Sequence, residues 1–179
     1  MENLKIHYKK GFDKMKKRKL YLMMGCPGAG KSTYLKTNLI NFQNPVVISR
    51  DNIRFSMVKE NEEYFSKENE VYAEFISQIK DALRFEVEVF ADATHLNELS
   101  RVKTLRALGE SLKDVEVNVI WVRVPVEVAL NQNENRKGTR SYVPKSVIRR
   151  MHSQLTIPTK EEGFDHIYIY ENGIRKEVE

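Results

Sequence analysis

The sequence predicts an α/β fold, in which a mostly parallel sheet of about five strands lies between two layers of helices. Short apolar runs, typical of buried strands, alternate about five times with longer segments whose apolar residues recur at helical spacing. The most apolar run, residues 117–124, is rich in valine, as expected at the centre of a sheet. Because ligands bind such sheets at the carboxyl ends of the strands, a functional site is expected in the segments that follow them.

Each element can be placed along the chain from its local pattern. The strands are expected at residues 20–24, 46–49, 87–91, 117–124 and 167–170. The helices are expected at residues 31–40, 69–84, 97–108 and 126–136, followed by one that begins at Pro144. A turn signal, Asn172-Gly173, follows the last strand.

The composition is that of an ordinary globular chain of 179 residues, with 41% hydrophobic and 31% charged residues. That length suits one domain with its own core. No apolar run approaches the roughly 20 residues that span a membrane, so no membrane partner is expected. Cys26 is the only cysteine, which is typical of a reducing compartment, and we therefore expect a cytoplasmic protein.

Positive charge is concentrated at the start of the chain. Residues 1–19 carry eight Lys and Arg against two acids, a net charge of +6, whereas the whole chain has a net charge of +5. We therefore divide the chain into a basic N-terminal arm at 1–19 and a single domain at 20–179. Such an arm could steer a polyanion toward the domain, although charged termini are also common as solvated leaders.

A glycine-rich segment joins the first predicted strand to the first predicted helix. It fits the pattern G-x-x-x-x-G-K-[ST] and consists of Gly25, Cys26, Pro27, Gly28, Ala29, Gly30, Lys31, Ser32 and Thr33. The glycines let backbone N–H groups point at phosphate oxygens, and the N-terminal end of the helix attracts the same anion. The pattern predicts a P-loop that binds ATP, with Lys31 on the β- and γ-phosphates and the Ser32 hydroxyl on Mg²⁺. The same glycine-rich pattern indicates that the predicted α/β fold is the three-layer sandwich of P-loop NTPases.

Acidic residues follow the second and third predicted strands. Asp51 would face the γ-phosphate from the carboxyl edge of the sheet, where it could accept a proton from an attacking hydroxyl. Arg54, three residues later, could hold a phosphate of the acceptor. Asp92 could support Mg²⁺ directly or through water. The alternative for these residues is helix capping, and for His95 we expect a hydrogen-bonded structural role.

A second basic segment follows the helix at 126–136. It contains no acid and six cations: Arg136, Lys137, Arg140, Lys145, Arg149 and Arg150. We predict that it forms a lid and that Arg136 closes over the β- and γ-phosphates, where a guanidinium group would stabilise the charge of the transition state. The alternative is a solvated basic face, which is favoured for each of the other five cations.

The order of these motifs resembles that of the phage-type 5′-hydroxyl polynucleotide kinases. The resemblance covers roughly residues 20–155 and rests on segments 25–33, 49–54, 92–94, 136–144 and 147–151. It implies that ATP and Mg²⁺ are the cofactors, that Asp51 is the general base on the 5′-hydroxyl, and that Arg54 contacts the acceptor phosphate. It also implies that Asp92 supports the magnesium shell and Ser32, and that Arg136 is the lid arginine. Thr94 is assigned with Asp51 and Arg54 to the acceptor side.

Two positions depart from that family's pattern. The family often has Asn where this chain has His95, and often has a second Arg, four positions before Arg136, where this chain has Gln132. The second change removes one phosphate ligand, which implies weaker ATP binding or a different acceptor.

The expected function is therefore transfer of the ATP γ-phosphate to the 5′-OH ends of RNA or DNA, for which end repair is the natural setting. A first alternative is a P-loop kinase for a small metabolite such as a nucleotide sugar, which would use the same Asp51 in a closed pocket. A second alternative is an ATP-binding module without turnover, although Asp51, Arg54 and Arg136 favour an enzyme.

Overall fold

The computed structural model describes residues 18–85 and 87–178, and in this part of the chain six strands form one sheet. The strands are β1 (Arg18–Met24), β2 (Pro45–Ser49), β3 (Glu88–Asp92), β4 (Val115–Val122), β5 (His166–Glu171) and β6 (Ile174–Val178). They lie in the order β2-β3-β1-β4-β5-β6, and the first five are parallel. The structure thus confirms the predicted α/β fold with a mostly parallel sheet.

The sixth strand, β6, adds one to the predicted count of about five. It pairs antiparallel with β5 across the turn at Asn172-Gly173. Its sequence, Ile-Arg-Lys-Glu-Val, is charged and mostly exposed, so it contains no apolar run that would predict a strand. Charged residues are common on edge strands because they discourage pairing with other chains.

Helices in the described residues cover both faces of the sheet. They are α1 (Lys31–Asn38), α2 (Arg50–Met57), α3 (Glu68–Ala82), α4 (Glu98–Leu108), α5 (Val126–Glu134) and α6 (Lys145–Ser153). The apolar pattern does not predict α2, because only Ile53 and Arg54 of its eight residues are buried. Ser49 caps this helix and accepts a hydrogen bond from the Asn52 N–H. No described helix is both long and apolar enough to cross a membrane.

The sheet separates two layers of core side chains. Along β1, Leu20, Leu22 and Met24 pack with α3 and α4, whereas Tyr21 and Met23 pack with α1 on the opposite face. Successive residues of a strand point to opposite faces, so burial on both sides explains why the strand reads as a continuous apolar run. A third cluster joins the phosphate loop to α5 and α6.

The first strand begins at Arg18, two residues earlier than predicted. The Arg18 guanidinium donates to the carbonyl oxygens of Leu83 and Lys113, both at 2.8 Å, and Lys19 pairs with Glu116 at 3.4 Å. Arg18 and Lys19, the last two residues of the basic arm predicted at 1–19, thus belong to this strand. The rest of it, residues 1–17, lies outside the described residues.

Candidate active site

The predicted site residues meet around one cavity of about 530 Å³ at the carboxyl ends of the parallel strands. Ligand-binding clefts commonly have volumes of ~300–1,000 Å³. Ten residues predicted to bind ATP, metal or acceptor line this cavity, and seven of them carry polar or charged side chains: Lys31, Ser32, Asp51, Arg54, Asp92, Thr94 and Arg136. Pro27, Gly28 and Gly30 of the phosphate loop line it too. The phosphate loop, α2 and the lid segment (residues 136–144) thus border a shared space.

Four residues of the phosphate loop do not line this cavity. Gly25, Cys26 and Ala29 are buried, and Thr33 faces solvent in the first turn of α1. Cys26 packs in the cluster formed with α5 and α6, and burial raises the pKa of its thiol. A raised pKa disfavours the reactive thiolate, so Cys26 acts in packing.

The phosphate loop packs closely against α5 because its glycines have no side chain. Gly28 has a φ of 82°, and a Cβ atom there would lie 2.2 Å from the carbonyl oxygen of Ala129. Gly30, with a φ of 97°, is the N-cap of α1. The N-terminal end of α1, which attracts anions, therefore opens onto the cavity.

Lys31 contacts the phosphate loop and lines the same cavity as the carboxylates of Asp51 and Asp92. Its ammonium group donates to the carbonyl oxygens of Gly25 and Cys26, at 2.8 and 3.3 Å. Burial lowers the pKa of Lys31, and the negative charges of Asp92 and Asp51 oppose that shift. Lysine and carboxylates thus converge on one cavity, as phosphoryl transfer from a loop-bound nucleotide requires.

Ser32 and Asp92 offer the oxygen atoms that would hold a magnesium ion. Asp92 ends β3 in register with Ser49 of β2. Burial raises the pKa of the Asp92 carboxyl, whereas the charge of Lys31 lowers it. Within residues 18–85 and 87–178, no group of three or more His, Cys, Asp or Glu could hold a metal. One carboxylate and one hydroxyl still fit Mg²⁺, which keeps several waters and takes other ligands from substrate phosphates.

A second wall of the cavity is formed by α2, the start of α3 and the segment between them. We call it the acceptor wall, and it consists of Arg50, Asp51, Arg54, Tyr64, Phe65 and Glu68. The Asp51 side chain is 62% exposed, and its Oδ1 accepts hydrogen bonds from Arg54 at 2.7 Å and from the Tyr64 hydroxyl at 3.0 Å. Asp51 is therefore accessible to a substrate and is held by two donors.

Arg54 has closer partners than the sequence predicts. It is 4% exposed, and besides Asp51 it pairs with Glu68 at 2.5 Å. Glu68 also pairs with Arg50, so two arginines and two carboxylates form a continuous chain. The Arg54 Nε atom is buried and has no hydrogen-bond partner among the described residues. Most of the Arg54 charge is thus compensated within the protein, and the unpaired Nε is itself buried.

Sequence reasoning does not identify Tyr64, Phe65 or Glu68 as site residues. The available signal is weak, because it consists of two adjacent aromatic residues in the otherwise polar stretch 59–67. Glu68 becomes recognisable only when α3 packs against α2 and brings it to Arg54, which is 14 positions away in the chain.

The lid segment, residues 136–144, is tied to the domain at two points. Asn133, fully buried at the end of α5, donates to the Val143 carbonyl at 2.7 Å and accepts from the Val143 N–H at 3.1 Å. Arg140 donates to the Val58 carbonyl at 2.6 Å, and its guanidinium lies 4.8 Å from the centre of the Phe55 ring. The lid segment therefore bridges α5 and the end of α2.

Among the six cations of the basic run, Arg136 alone lines the cavity. Lys145 and Arg149 pair with Glu134 and Glu127, at 3.5 and 2.8 Å. The side-chain oxygen of Gln132 faces the phosphate loop, since it would lie 3.8 Å from a Cβ atom built at Gly30. At this position the chain offers an amide in place of a positive charge.

His95 has the structural role expected from the sequence. It is 4% exposed, and its Nδ1 lies 2.9 Å from the carbonyl oxygen of Met23. A carbonyl can only accept, so Nδ1 carries the proton. The residue has a φ of 42°, in the left-handed region that Asn, Asp and His enter more readily than most residues. This conformation accounts for His at a position where Asn is also suitable.

We expect His95 to make the protein less stable in acid. Burial, with smaller contributions from neighbouring cations, lowers its pKa from 6.5 to about 4. Between those pH values the His95 imidazole is protonated in the unfolded chain but not in the folded protein. The free energy of unfolding therefore falls by ~3 kcal/mol as the pH falls from about 6.5 to 4. His95→Asn removes the titrating group. Urea unfolding at pH 7 and pH 4 should therefore show a smaller pH effect in the variant, and equal effects in both proteins would contradict the assignment.

Comparison with known proteins extends the sequence and fold findings. The family model described as an AAA domain matches residues 20–158. No curated protein matches the sequence. A chain from the Pnkp1/Rnl/Hen1 RNA repair complex is similar, with 23% identity and a TM-score of 0.62 over 77% of this chain and 44% of that one. This chain thus spans less than half the length of the repair-complex chain.

Two further solved structures have a similar fold. A fungal RNA kinase has 13% identity and a TM-score of 0.60, over 86% of this chain and 74% of that one. A protein of the PezAT chromosomal toxin–antitoxin system of Streptococcus pneumoniae has 18% identity and a TM-score of 0.60, over 92% of this chain and 71% of that one. At these identities the likeness shows the fold, and the chain has a fold of the P-loop kinase type.

Proposed function

Because this chain belongs to the AAA domain family, whose model matches residues 20–158, we propose that it transfers the γ-phosphate of ATP to the 5′-hydroxyl ends of RNA or DNA. The observation that carries the proposal is the convergence of Lys31, Asp92, Asp51 and Arg136 on one cavity. The resemblance of the motif order to phage-type polynucleotide kinases supports it, and so do the RNA repair complex and the RNA kinase among the similar structures. End repair is the setting that we infer.

In this proposal each residue has a defined task. Asp51 accepts the proton of the 5′-hydroxyl. As it does so, the hydroxyl oxygen bonds to the γ-phosphorus, and the bond between that phosphorus and the departing ADP oxygen breaks. Lys31 and Arg136 stabilise the negative charge that develops. Ser32 and Asp92 would hold Mg²⁺, which when bound neutralises phosphate charge. Thr94 and Arg54, which line the same cavity, contact the acceptor.

The openness of the acceptor side favours a polymer end over a small metabolite. The side chain of Asp51 is 62% exposed, and Phe65, which lines the same cavity, is also 62% exposed. The 5′ end of a nucleic-acid strand can reach Asp51 at such an open place while the rest of the strand continues into solvent. A small-metabolite kinase, in contrast, encloses its acceptor to exclude water.

One observation favours the second candidate, a kinase for a small metabolite such as a nucleotide sugar. The arginines of the acceptor wall are largely compensated by Asp51 and Glu68. Polynucleotide binding depends on uncompensated cations that contact successive phosphates. An acceptor with few phosphates would suit this wall.

A labelling experiment separates the candidates. The full-length protein is incubated with Mg²⁺ and ATP labelled at the γ-phosphate, together with 5′-OH oligonucleotides of RNA or DNA, matched 5′-phosphorylated oligonucleotides, or a UDP-sugar. We expect label on the 5′-OH oligonucleotides and none on the phosphorylated ones. Label on the UDP-sugar alone would support the metabolite kinase, and ATP binding without transfer to any acceptor would support a non-catalytic module.

A further inference from the structure

Phe65 is an exposed aromatic residue in the wall of the catalytic cavity. The residue is 62% exposed and lines the same space as Asp51. The neighbouring Tyr64 ring stands edge-on to it, with ring centres 4.8 Å apart and planes at 88°. Single exposed apolar residues are ordinary on protein surfaces. This one is unusual in its place, because it lines the same cavity as the group proposed as the general base.

The Phe65 ring rests on an anchored guanidinium group. The Arg54 guanidinium lies 5.3 Å from the centre of the Phe65 ring and 4.7 Å from that of Tyr64. Arg54 is held by Glu68 and Asp51, at 2.5 and 2.7 Å. Cation–π contacts of this kind restrain the orientation of a ring. Phe65 is thus a positioned surface rather than a side chain that moves freely in solvent.

The aromatic pair is linked directly to the proposed chemistry. The Tyr64 hydroxyl donates to Asp51 Oδ1 at 3.0 Å. A planar group joined to the reacting hydroxyl by one sugar would therefore come within reach of the adjacent ring. A nucleobase has the required π-face, whereas a sugar or a linear metabolite does not. Stacking of a base on an aromatic side chain is favourable for all bases and so tolerates any terminal sequence.

We propose that Phe65 is the stacking platform for the terminal nucleobase of the 5′-OH acceptor. The inference rests on the proposed function and adds a recognition element to it. Phe65 selects acceptors by the presence of a base and is not needed for ATP binding. Stacking on Phe65 lowers the KM for the acceptor, and for one stacked base this decrease is about 5- to 100-fold.

The test combines a change in the protein with a change in the acceptor. Wild type and Phe65→Ala are compared on a 5′-OH oligonucleotide and on the same strand with an abasic terminal nucleotide that keeps its 5′-OH. In wild type, removal of the base should raise the acceptor KM by about 5- to 100-fold. In Phe65→Ala the intact strand should show a similar rise, and removal of the base should then add less than about twofold, because the stacking partner has already gone.

Two further variants control the experiment. Phe85 is 66% exposed in the turn after α3 and does not line the cavity, so Phe85→Ala should leave every KM unchanged. Phe65→Trp keeps an aromatic face and should restore discrimination between intact and abasic ends. The KM for ATP should be equal in all variants.

If Phe65→Ala and removal of the base raised the acceptor KM independently of each other, Phe65 would not be the stacking platform. The kinase activity would still be established. A rise in the KM for ATP in Phe65→Ala, with an unchanged acceptor KM, would lead to the same conclusion. Failure of the wild type to phosphorylate any 5′-OH end would instead remove the proposed function, and this inference with it.

Discussion

Replacement of Asp51 by asparagine is expected to slow phosphoryl transfer by about 10²–10⁴-fold, the usual loss when a general base is removed. Asparagine has nearly the same shape and can still accept the hydrogen bonds that Arg54 and Tyr64 donate to Oδ1. It has no negative charge and cannot take up the proton of the acceptor hydroxyl. Single-turnover transfer of labelled phosphate should show the loss in rate, while binding of ATP should remain close to that of wild type.

Asp81 provides a matched control for this variant. It also pairs with an arginine three residues later, Arg84, and its side chain is 61% exposed, against 62% for Asp51. Asp81 does not line the cavity, so Asp81→Asn should transfer phosphate at the wild-type rate. A fall of less than threefold in Asp51→Asn would remove Asp51 from the role of base. Equal losses in the two variants would point to a general effect of lost surface charge.

The parts of the fold that the sequence predicts well are those set by local pattern. The central strands β1 and β4 are apolar because they are buried on both faces, and that burial is visible as runs of apolar residues. The phosphate loop is recognisable for the same reason, because its glycines and Lys31 must occupy fixed positions in a single turn. In contrast, β6 takes its place by pairing with β5, and its own exposed, charged residues give no sign of it.

The parts of the site that the sequence does not predict depend on contacts between distant residues. The partners of Arg54 are known only when α3 brings Glu68 to α2. The sequence therefore presents Arg54 as a cation available for a phosphate, whereas the folded chain surrounds it with carboxylates and aromatic rings. Motif spacing thus identifies which residues reach the cavity, and tertiary pairing decides how much of their charge a substrate meets.

A buried arginine behind the site is a second feature that sequence reasoning misses. Arg101 in α4 is fully buried and makes a bidentate ion pair with Glu162, at 2.6 Å for both contacts. It also donates to the carbonyl oxygens of His95 and Thr156, at 3.2 and 3.1 Å. These bonds join the chain after β3, which carries Thr94, to the segment before β5. The two ion-pair partners are 61 positions apart, so no local pattern reveals them.

Arg101→Met is therefore expected to destabilise the protein by about 3–5 kcal/mol, because it leaves the carboxylate of Glu162, whose side chain is 3% exposed, without its counter-charge. That loss is a large fraction of the ~5–15 kcal/mol by which domains are stable. Urea unfolding followed by the fluorescence of the single tryptophan, Trp121, which is 8% exposed, would measure it.

The loss of stability in Arg101→Met should come from the unpaired charge of Glu162 rather than from the missing arginine side chain. The double variant Arg101→Met/Glu162→Gln should therefore regain a good part of the stability, since the amide needs no counter-charge. Arg149→Met breaks the exposed pair with Glu127, where the side chains are 55% and 64% exposed, and should cost less than about 1 kcal/mol. A loss in Arg101→Met no larger than the loss in Arg149→Met would contradict a structural role for the buried pair. Recovery in the double variant, in contrast, would show that Glu162 is buried at this position only because Arg101 accompanies it.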